Sequence, residues 1–195
     1  MGTVSAIFIY LVQTLFSLYV IAVMLRFMLQ LVRADFYNPI SQFLVKITSP
    51  LVNPLRRIIP GLGGLDLSSL LLALIVQMIA SAMLFVLSGY GMPNPLSLLM
   101  WSAIALVWLT LNIFFFALIA MIIVSWIAAG SRHPAILLLY QITEPVMAPL
   151  RKVLPPLGGL DFSPIFAFIL IQVLKIALSG VAAAVYMPRG LVPGL

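Results

Sequence analysis

Hydrophobic residues fill four long stretches of this chain, and polar residues gather in the segments between them. Each stretch is at least as long as the about 20 apolar residues that a helix needs to cross the hydrocarbon core of a bilayer. Because a lipid-exposed segment must pair its own backbone polar groups, we predict four transmembrane helices. They lie near residues 4–32, 67–89, 96–129 and 164–187.

The polar segment between the first two stretches recurs between the last two. Residues 48–68 (TSPLVNPLRRIIPGLGGLDLS) match residues 143–163 (TEPVMAPLRKVLPPLGGLDFS) at 12 of 21 positions, with a shift of 95 residues. A repeat of this length, at half the length of the chain, indicates a duplicated unit. We therefore divide the chain into a first unit at residues 1–92 and a second unit at residues 93–195, each with two spans.

Proline positions predict two short helices in each connector. Pro39 and Pro50, like their counterparts in the second unit, stand where the first turn of a helix accepts proline. Apolar residues three or four apart in residues 40–58 alternate with basic ones, a pattern typical of a helix in the headgroup plane. Pro54 and Pro149 should bend the second short helix. We expect an all-α membrane protein of two parallel-oriented tandem repeats, each a helix, an amphipathic interfacial helical hairpin and a second helix.

Composition and charge limit the function classes. Hydrophobic residues make up 64% of the chain and charged residues 7%, which excludes a soluble globular protein. With no cysteine and one histidine, a zinc site built from those ligands is also excluded, and we expect no cofactor. The net charge of +6 comes mostly from residues that flank apolar segments. These residues indicate anionic lipid headgroups as partners rather than direct binding of nucleic acid.

Basic residues also predict the orientation in the membrane. The link at residues 90–95 has none, whereas the two long connectors contain several: Arg33, Lys46, Arg56, Arg57, Arg132, Arg151 and Lys152. By the positive-inside rule the connectors are cytoplasmic and the termini are periplasmic. Both units then enter the membrane in the same sense, so an axis relating them runs along the membrane normal.

A Gly-Gly-Leu-Asp turn leads the chain back into the membrane in both units. The glycines of this turn, at residues 63–64 and 158–159, permit a tight reversal, and Ser68 and Ser163 are the expected N-caps of the spans that follow. The two aspartates are interpreted either as partners of nearby cations and helix N-termini or as cation ligands. The resulting candidate functional residues are Arg56, Arg57, Asp66, Arg151, Lys152 and Asp161.

Each predicted span contains one amide side chain, at Gln13, Gln77, Asn112 or Gln172. The shift of 95 residues pairs Gln77 with Gln172. A four-residue gap before the connectors pairs the other two amides, and it also pairs Arg26 with Ser125. These amides form either interhelical hydrogen bonds or the lining of a path for an ion or small solute.

Lys175 lies near the centre of the fourth span, and none of the predicted spans offers it an acidic partner. A lysine at that depth is costly to insert, so we expect it to face protein, water or a headgroup defect. The sequence has no Ser-His-Asp order, no HExxH motif and no paired carboxylates within a span. We therefore predict that the protein is not an enzyme.

The doubled pattern of Asn-Pro or His-Pro, then T-[SE]-P-x-x-x-P-L-R-[RK], then P-x-L-G-G-L-D-x-S and an amide in the next helix resembles the YggT family, whose plastid and cyanobacterial relatives are called YlmG. The resemblance implies a bacterial inner-membrane protein without an established activity. It implies a role in osmotic or extracytoplasmic stress, with movement of potassium or other ions as one route to that role. The alternative is a scaffold for division, nucleoid organisation or cytochrome complexes, whose cytoplasmic hairpins recruit membrane or cytoplasmic proteins. A homo-oligomer around a shared axis and a self-contained bundle both remain open.

Overall fold

The computed structural model describes residues 2–59, 61, 63–128, 130–153, 161–188 and 190–193. They form six α-helices: α1 (Thr3–Leu31), α2 (Pro39–Ile58), α3 (Leu67–Leu87), α4 (Pro95–Ile127), α5 (Pro134–Val153) and α6 (Ser163–Ala184). Four of them, α1, α3, α4 and α6, are long and apolar enough to cross a membrane. The predicted all-α membrane fold and its four spans are confirmed.

The connectors differ from the prediction, because each is one continuous helix instead of two short ones. In α2, both Pro50 and Pro54 lie inside the helix. Each proline removes one backbone hydrogen bond, but these two are four residues apart on an exposed side, where water can reach the unpaired carbonyls. The opposite side, with Leu44, Thr48 and Val52, is buried against the bundle and holds the helix together. The α5 helix likewise continues through Pro145 and Pro149.

The caps of the second and fourth spans also differ from the prediction. The N-cap of α3 is Asp66, whose Oδ1 accepts a hydrogen bond from the Ser69 N–H at 3.3 Å. Ser68 lies inside the helix and donates to the Ile59 carbonyl at 2.8 Å. Ser163 is the first residue of α6, and its N–H donates to Asp161 Oδ1 at 2.9 Å. Both helices begin sooner than the serine positions suggest, so that Asp66 is the N-cap of α3 and Phe162, without a side-chain cap hydrogen bond, is the N-cap of α6.

The glycine turn of the first unit has the expected backbone. Gly63 and Gly64 have φ angles of 61° and 88°, in the left-handed region that glycine adopts without a steric penalty. The corresponding Gly158-Gly159 turn lies outside the described residues.

The two units have the same register from end to end. Arg26 Nη1 donates to Thr48 Oγ1 at 2.8 Å, and Thr143 Oγ1 lies 3.4 Å from Met121 Sδ, so each pair joins a span to a connector threonine 22 residues later. A constant shift of 95 therefore pairs Arg26 with Met121. The four-residue gap was wrong, because the α1–α2 and α4–α5 links differ by only one residue in length. Ser125 is not the counterpart of Arg26, nor is Asn112 that of Gln13.

Each unit packs a span pair against its connector helix. In the first unit α1 and α3 run closely together, since Ala73 and Ala80 are fully buried on α3 and let the backbones approach. In the second unit α4 and α6 meet over a shorter length, because the buried residues of α6 are confined to its first half. The rest of α6 is exposed or half-buried.

The units join head to tail. The first unit presents α3 to α4 and α1 to α5. The reciprocal pairs, α6 with α1 and α4 with α2, do not touch within the described part of the chain. Stacked rings of Phe85 and Trp101, 5.5 Å apart, lie in this junction, and the Trp101 Nε1–H donates to the Val185 carbonyl at 3.0 Å. The junction therefore has two different sides.

Candidate functional site

Three charged side chains meet where α1, α2 and α3 converge. Asp66 is 3% exposed, and its Oδ2 lies 2.5 Å from Arg56 Nη2 and 3.9 Å from Arg26 Nε. The Ser69 hydroxyl donates to the same oxygen at 2.7 Å. Arg26 is as buried as Asp66, whereas the Arg56 side chain is 44% exposed. The cluster therefore places one buried carboxylate between a buried guanidinium group and a half-exposed one.

Arg26 also attaches the connector helix to the first span. Its Nη1 donates to Thr48 Oγ1 at 2.8 Å and to Ser49 Oγ at 3.2 Å, both on α2. Its Nε has no hydrogen-bond partner among the described residues and lies 3.9 Å from Asp66 Oδ2. One guanidinium thus connects α1 with α2 through hydrogen bonds and with the start of α3 through charge.

The environment keeps Asp66 ionised. Burial alone raises the pKa of this carboxyl, but the Ser69 hydroxyl and the Arg56 charge favour the anion more strongly, as does the Ser69 N–H. The net effect lowers the pKa below its ordinary value of 3.8. Asp66 therefore carries its negative charge at neutral pH and balances one of the two arginines.

The same position in the second unit has the opposite charge balance. Arg151 lies 3.2 Å from Asp161 and 3.1 Å from Glu144, and Met121 stands where the first unit has Arg26. Two carboxylates therefore share one arginine. Burial raises the pKa of Asp161, but the hydrogen bonds from Ser163 and the Arg151 guanidinium together lower it by more. The net shift of the Asp161 pKa is therefore downward. All three charged side chains of this cluster are exposed, whereas in the first cluster only Arg56 is.

The predicted site residues are only partly brought together. The pairs Arg56–Asp66 and Arg151–Asp161 form as the pairing interpretation expected. Arg57 and Lys152 are exposed and have no ion-pair partner among the described residues. Among the same residues, no group of three or more metal-ligating side chains could hold a cation.

Sequence reasoning missed Arg26, which it did not include among the candidate functional residues. The signal that could have identified it was the constant shift of 95. In that register the counterpart of Arg26 is Met121, and each lies 22 positions before the connector threonine of its unit, Thr48 or Thr143. The arginine is therefore a difference between two otherwise matched positions.

The four amides do not form a layer. Gln77 is buried, and its Nε2 donates to the Pro193 carbonyl at 2.8 Å, which joins α3 to the segment after α6. Gln172 is exposed, and Gln13 and Asn112 are half-buried. These three have no hydrogen-bond partner within the described part of the chain. The interhelical hydrogen bonds, one of the two interpretations of these amides, are therefore absent among the described residues, and Gln77 pairs with a non-helical carbonyl instead.

Lys175 packs against aromatic rings instead of an acidic partner. Its Nζ lies 4.7 Å from the ring centroid of Phe115 and 5.7 Å from that of Trp108, both on α4. A cation over an aromatic face is attracted by the ring quadrupole, which offsets part of the cost of a charge in the span. Lys175 thus faces protein, one of the three surroundings that the sequence predicted.

Two tandem units, each with two spans and one connector helix, define a class of multi-pass membrane protein. The chain belongs to the CCB3/YggT family, whose pattern matches twice, over residues 5–87 and 100–182. The two matches start and end 95 residues apart, in agreement with the constant register of the structure.

Curated relatives cover nearly the whole chain. An uncharacterized protein of Pseudomonas aeruginosa is 54% identical over 185 residues, which is 94% of each chain. The uncharacterized protein YggT of Escherichia coli K12 is 38% identical over 188 residues, 95% of each chain. An uncharacterized protein of Vibrio alginolyticus is 40% identical over 84% of this chain and 88% of its own. No solved structure matches.

The buried charge cluster predicts a non-additive mutant cycle. Asp66→Asn keeps the cap but leaves the buried Arg26 without a carboxylate, and we expect a loss of about 3 kcal/mol in unfolding free energy; the half-exposed Arg56 remains solvated. Arg26→Met introduces the residue of the second unit. The double variant Arg26→Met/Asp66→Asn should be more stable than Asp66→Asn alone, as measured by thermal unfolding in detergent. Asp161→Asn, at the exposed counterpart, serves as the control and should have little effect. Strictly additive losses would contradict the coupling.

The lowered pKa of Asp66 predicts acid sensitivity with a defined sign. A carboxyl whose pKa is lower in the folded state stabilises the fold above its unfolded pKa, and this contribution is lost as the pH falls through the folded pKa. The stability difference between the wild type and Asp66→Asn should be constant near neutral pH and should shrink below about pH 4. Unfolding midpoints measured over a pH series test this. A difference that persists unchanged in acid would refute the assignment.

The hydrogen bond from Gln77 predicts unequal effects at two matched glutamines. Gln77→Leu leaves the Pro193 carbonyl without its donor, and the expected loss is about 1–3 kcal/mol. Gln172→Leu changes an exposed side chain without a partner among the described residues and should be close to neutral. Thermal unfolding of the two variants in the same detergent compares them directly. Equal losses would show that the bond to Pro193 does not distinguish the two units.

Proposed function

We propose that the protein acts without catalysis, as a scaffold of the bacterial inner membrane. In this proposal its connectors lie on the cytoplasmic side, and α2 forms a binding surface for anionic lipid headgroups and for protein partners. The observation that carries the proposal is the division of α2 into three faces, one toward the protein, one apolar and exposed, and one polar and exposed.

The three faces follow from helical geometry at 3.6 residues per turn. The protein face contains Ser41, Leu44, Thr48 and Val52, all buried. The exposed apolar face contains Ile40, Phe43, Ile47, Leu51 and Ile58. The exposed polar face contains Gln42, Lys46, Asn53 and Arg57. A helix with this arrangement is suited to lie in the membrane interface, with its basic face toward the cytoplasm.

The attachment of α2 supports a scaffold with a fixed surface. Arg26 bonds to Thr48 and Ser49 near the middle of the helix, and Arg56 pairs with Asp66 near its end. These contacts hold the helix at two points, so Lys46 and Arg57 are presented at a constant distance from the membrane spans. A fixed array of charges loses less conformational entropy on binding than a flexible one.

Ion movement is the competing proposal, and it would link the protein to osmotic stress through potassium. A conducting path needs polar groups on a continuous inward face. Here Gln77 is occupied by the Pro193 carbonyl, Gln172 is exposed, and Lys175 places a positive charge against α4. These positions favour the scaffold, which would affect stress tolerance through the lipids or proteins that it gathers.

Lipid-dependent stability tests the basic face of α2. Protein in nanodiscs should unfold at a higher temperature when the lipid is anionic than when it is zwitterionic. Lys46→Gln should reduce that gain by about 1 kcal/mol, because one cation near the surface is lost. Lys175→Gln removes one lysine from within a span and should leave the gain unchanged. The proposal fails if both variants alter the gain equally or if anionic lipid gives no gain.

Potassium flux into liposomes, under imposed osmotic and voltage gradients, separates the two proposals. We expect no flux from folded, correctly inserted protein. Flux that disappears in the Gln77→Leu/Gln172→Leu variant would replace the scaffold with a conduction path.

A further inference from the structure

Each side of the junction between the two units has an uncovered counterpart elsewhere in the chain. The first unit contributes the end of α1, where Met28 is 2% exposed. At the corresponding position on α4, Ile123 is 50% exposed, and Ile127, the counterpart of Val32, is almost fully exposed. The surface that receives a neighbouring unit is therefore occupied in the first unit and vacant in the second.

The other side of the junction has the complementary arrangement. On α5, Leu138 is 4% exposed and Ile142 is buried, because both pack into one cluster with Met28 and its neighbours. Their counterparts on α2 are Phe43, which is 59% exposed, and Ile47, which is also exposed. The surface that docks onto a neighbouring unit is therefore used in the second unit and free in the first.

Asn38 makes a hydrogen bond across the junction, and its counterpart in the second unit, His133, has a donor that could make the same bond. Asn38 accepts the Ile40 N–H through Oδ1 and donates through Nδ2 to the Pro134 carbonyl at 2.8 Å. His133, at the corresponding position, accepts the Ala135 N–H through Nδ1 at 3.2 Å. An imidazole that accepts at Nδ1 carries its proton on Nε2 in the neutral form, and so it retains one donor.

We propose that a second copy of this chain covers both vacant surfaces by repeating the internal junction between chains. The end of α4, with Ile123 and Ile127, receives Phe43 and Ile47 of the neighbouring copy. His133 Nε2–H donates to the Pro39 carbonyl of that copy, as Asn38 does to Pro134 within the chain. Contacts of this kind join unlike surfaces, and a ring forms when the rotation closes. The smallest closed ring contains two chains and four units.

Lipid could also cover an exposed apolar face in a membrane, but two observations favour a second copy. The same faces are covered by protein where the chain supplies a neighbouring unit, and His133 retains a donor at the position that bonds across the junction. A second polar contact beside that of Asn38, from the Asp35 N–H to Gln141 Oε1, is not repeated, because Lys46 has no acceptor at the position of Gln141.

Crosslinking between two tagged chains tests the docking directly, because the sequence contains no cysteine. One chain carries Phe43→Cys, the other carries Ile123→Cys, and the two are expressed together and oxidised in membranes. We expect a disulfide-linked dimer that contains both tags. Each variant expressed alone should remain monomeric on a denaturing gel, because the contact joins two different surfaces.

The matched control replaces Phe43→Cys with Ile79→Cys, an exposed position on α3 outside the proposed contact. Absence of the mixed dimer, or equal yields with the control, would overturn the proposal and leave lipid on these faces. A dimer from Phe43→Cys alone would also overturn it, because that product needs like surfaces to meet. His133→Ala should lower the yield of mixed dimer, whereas His133→Asn, which copies the first unit, should retain it.

Discussion

A guanidinium group in a low-dielectric environment must be paired, and this requirement organises the first unit. Arg26 is buried within a span, where an isolated charge would cost several kcal/mol. Its partners come from two other helices, with hydroxyls on α2 and a carboxylate at the start of α3. The positions of the connector helix and of the second span therefore both depend on one side chain. The second unit has methionine at that place, and its span pair has the looser packing.

Most of the fold follows from local sequence features, whereas most of the site does not. Four spans, a duplicated unit and an interfacial connector can be predicted from apolar length, from the 95-residue shift and from helical periodicity. The continuity of α2 could not be predicted in this way. It depends on burial of Leu44 and Val52 against the bundle, which stabilises the helix by more than its two internal prolines destabilise it. Proline rules describe isolated helices and do not include that contribution.

The amides and Arg26 show why intramembrane polar residues are difficult to interpret from sequence. Gln77 and Gln172 occupy equivalent positions, yet one bonds to the segment after α6 and the other faces outward. The difference arises because the units join head to tail, so only the first unit has its α3 covered by α4. Equivalent residues in a duplicated chain therefore acquire different surroundings. The site must be inferred from the junction as well as from the repeat.

The hydrogen bond from Gln77 to Pro193 has a consequence for biosynthesis. It joins residues 116 positions apart and links a span of the first unit to a segment that follows the last span. During translation the first unit must wait until the second has been made and inserted before this donor meets its acceptor. Until then the Gln77 amide lacks this acceptor. The packing of the first unit is therefore completed only after the second unit has been synthesised.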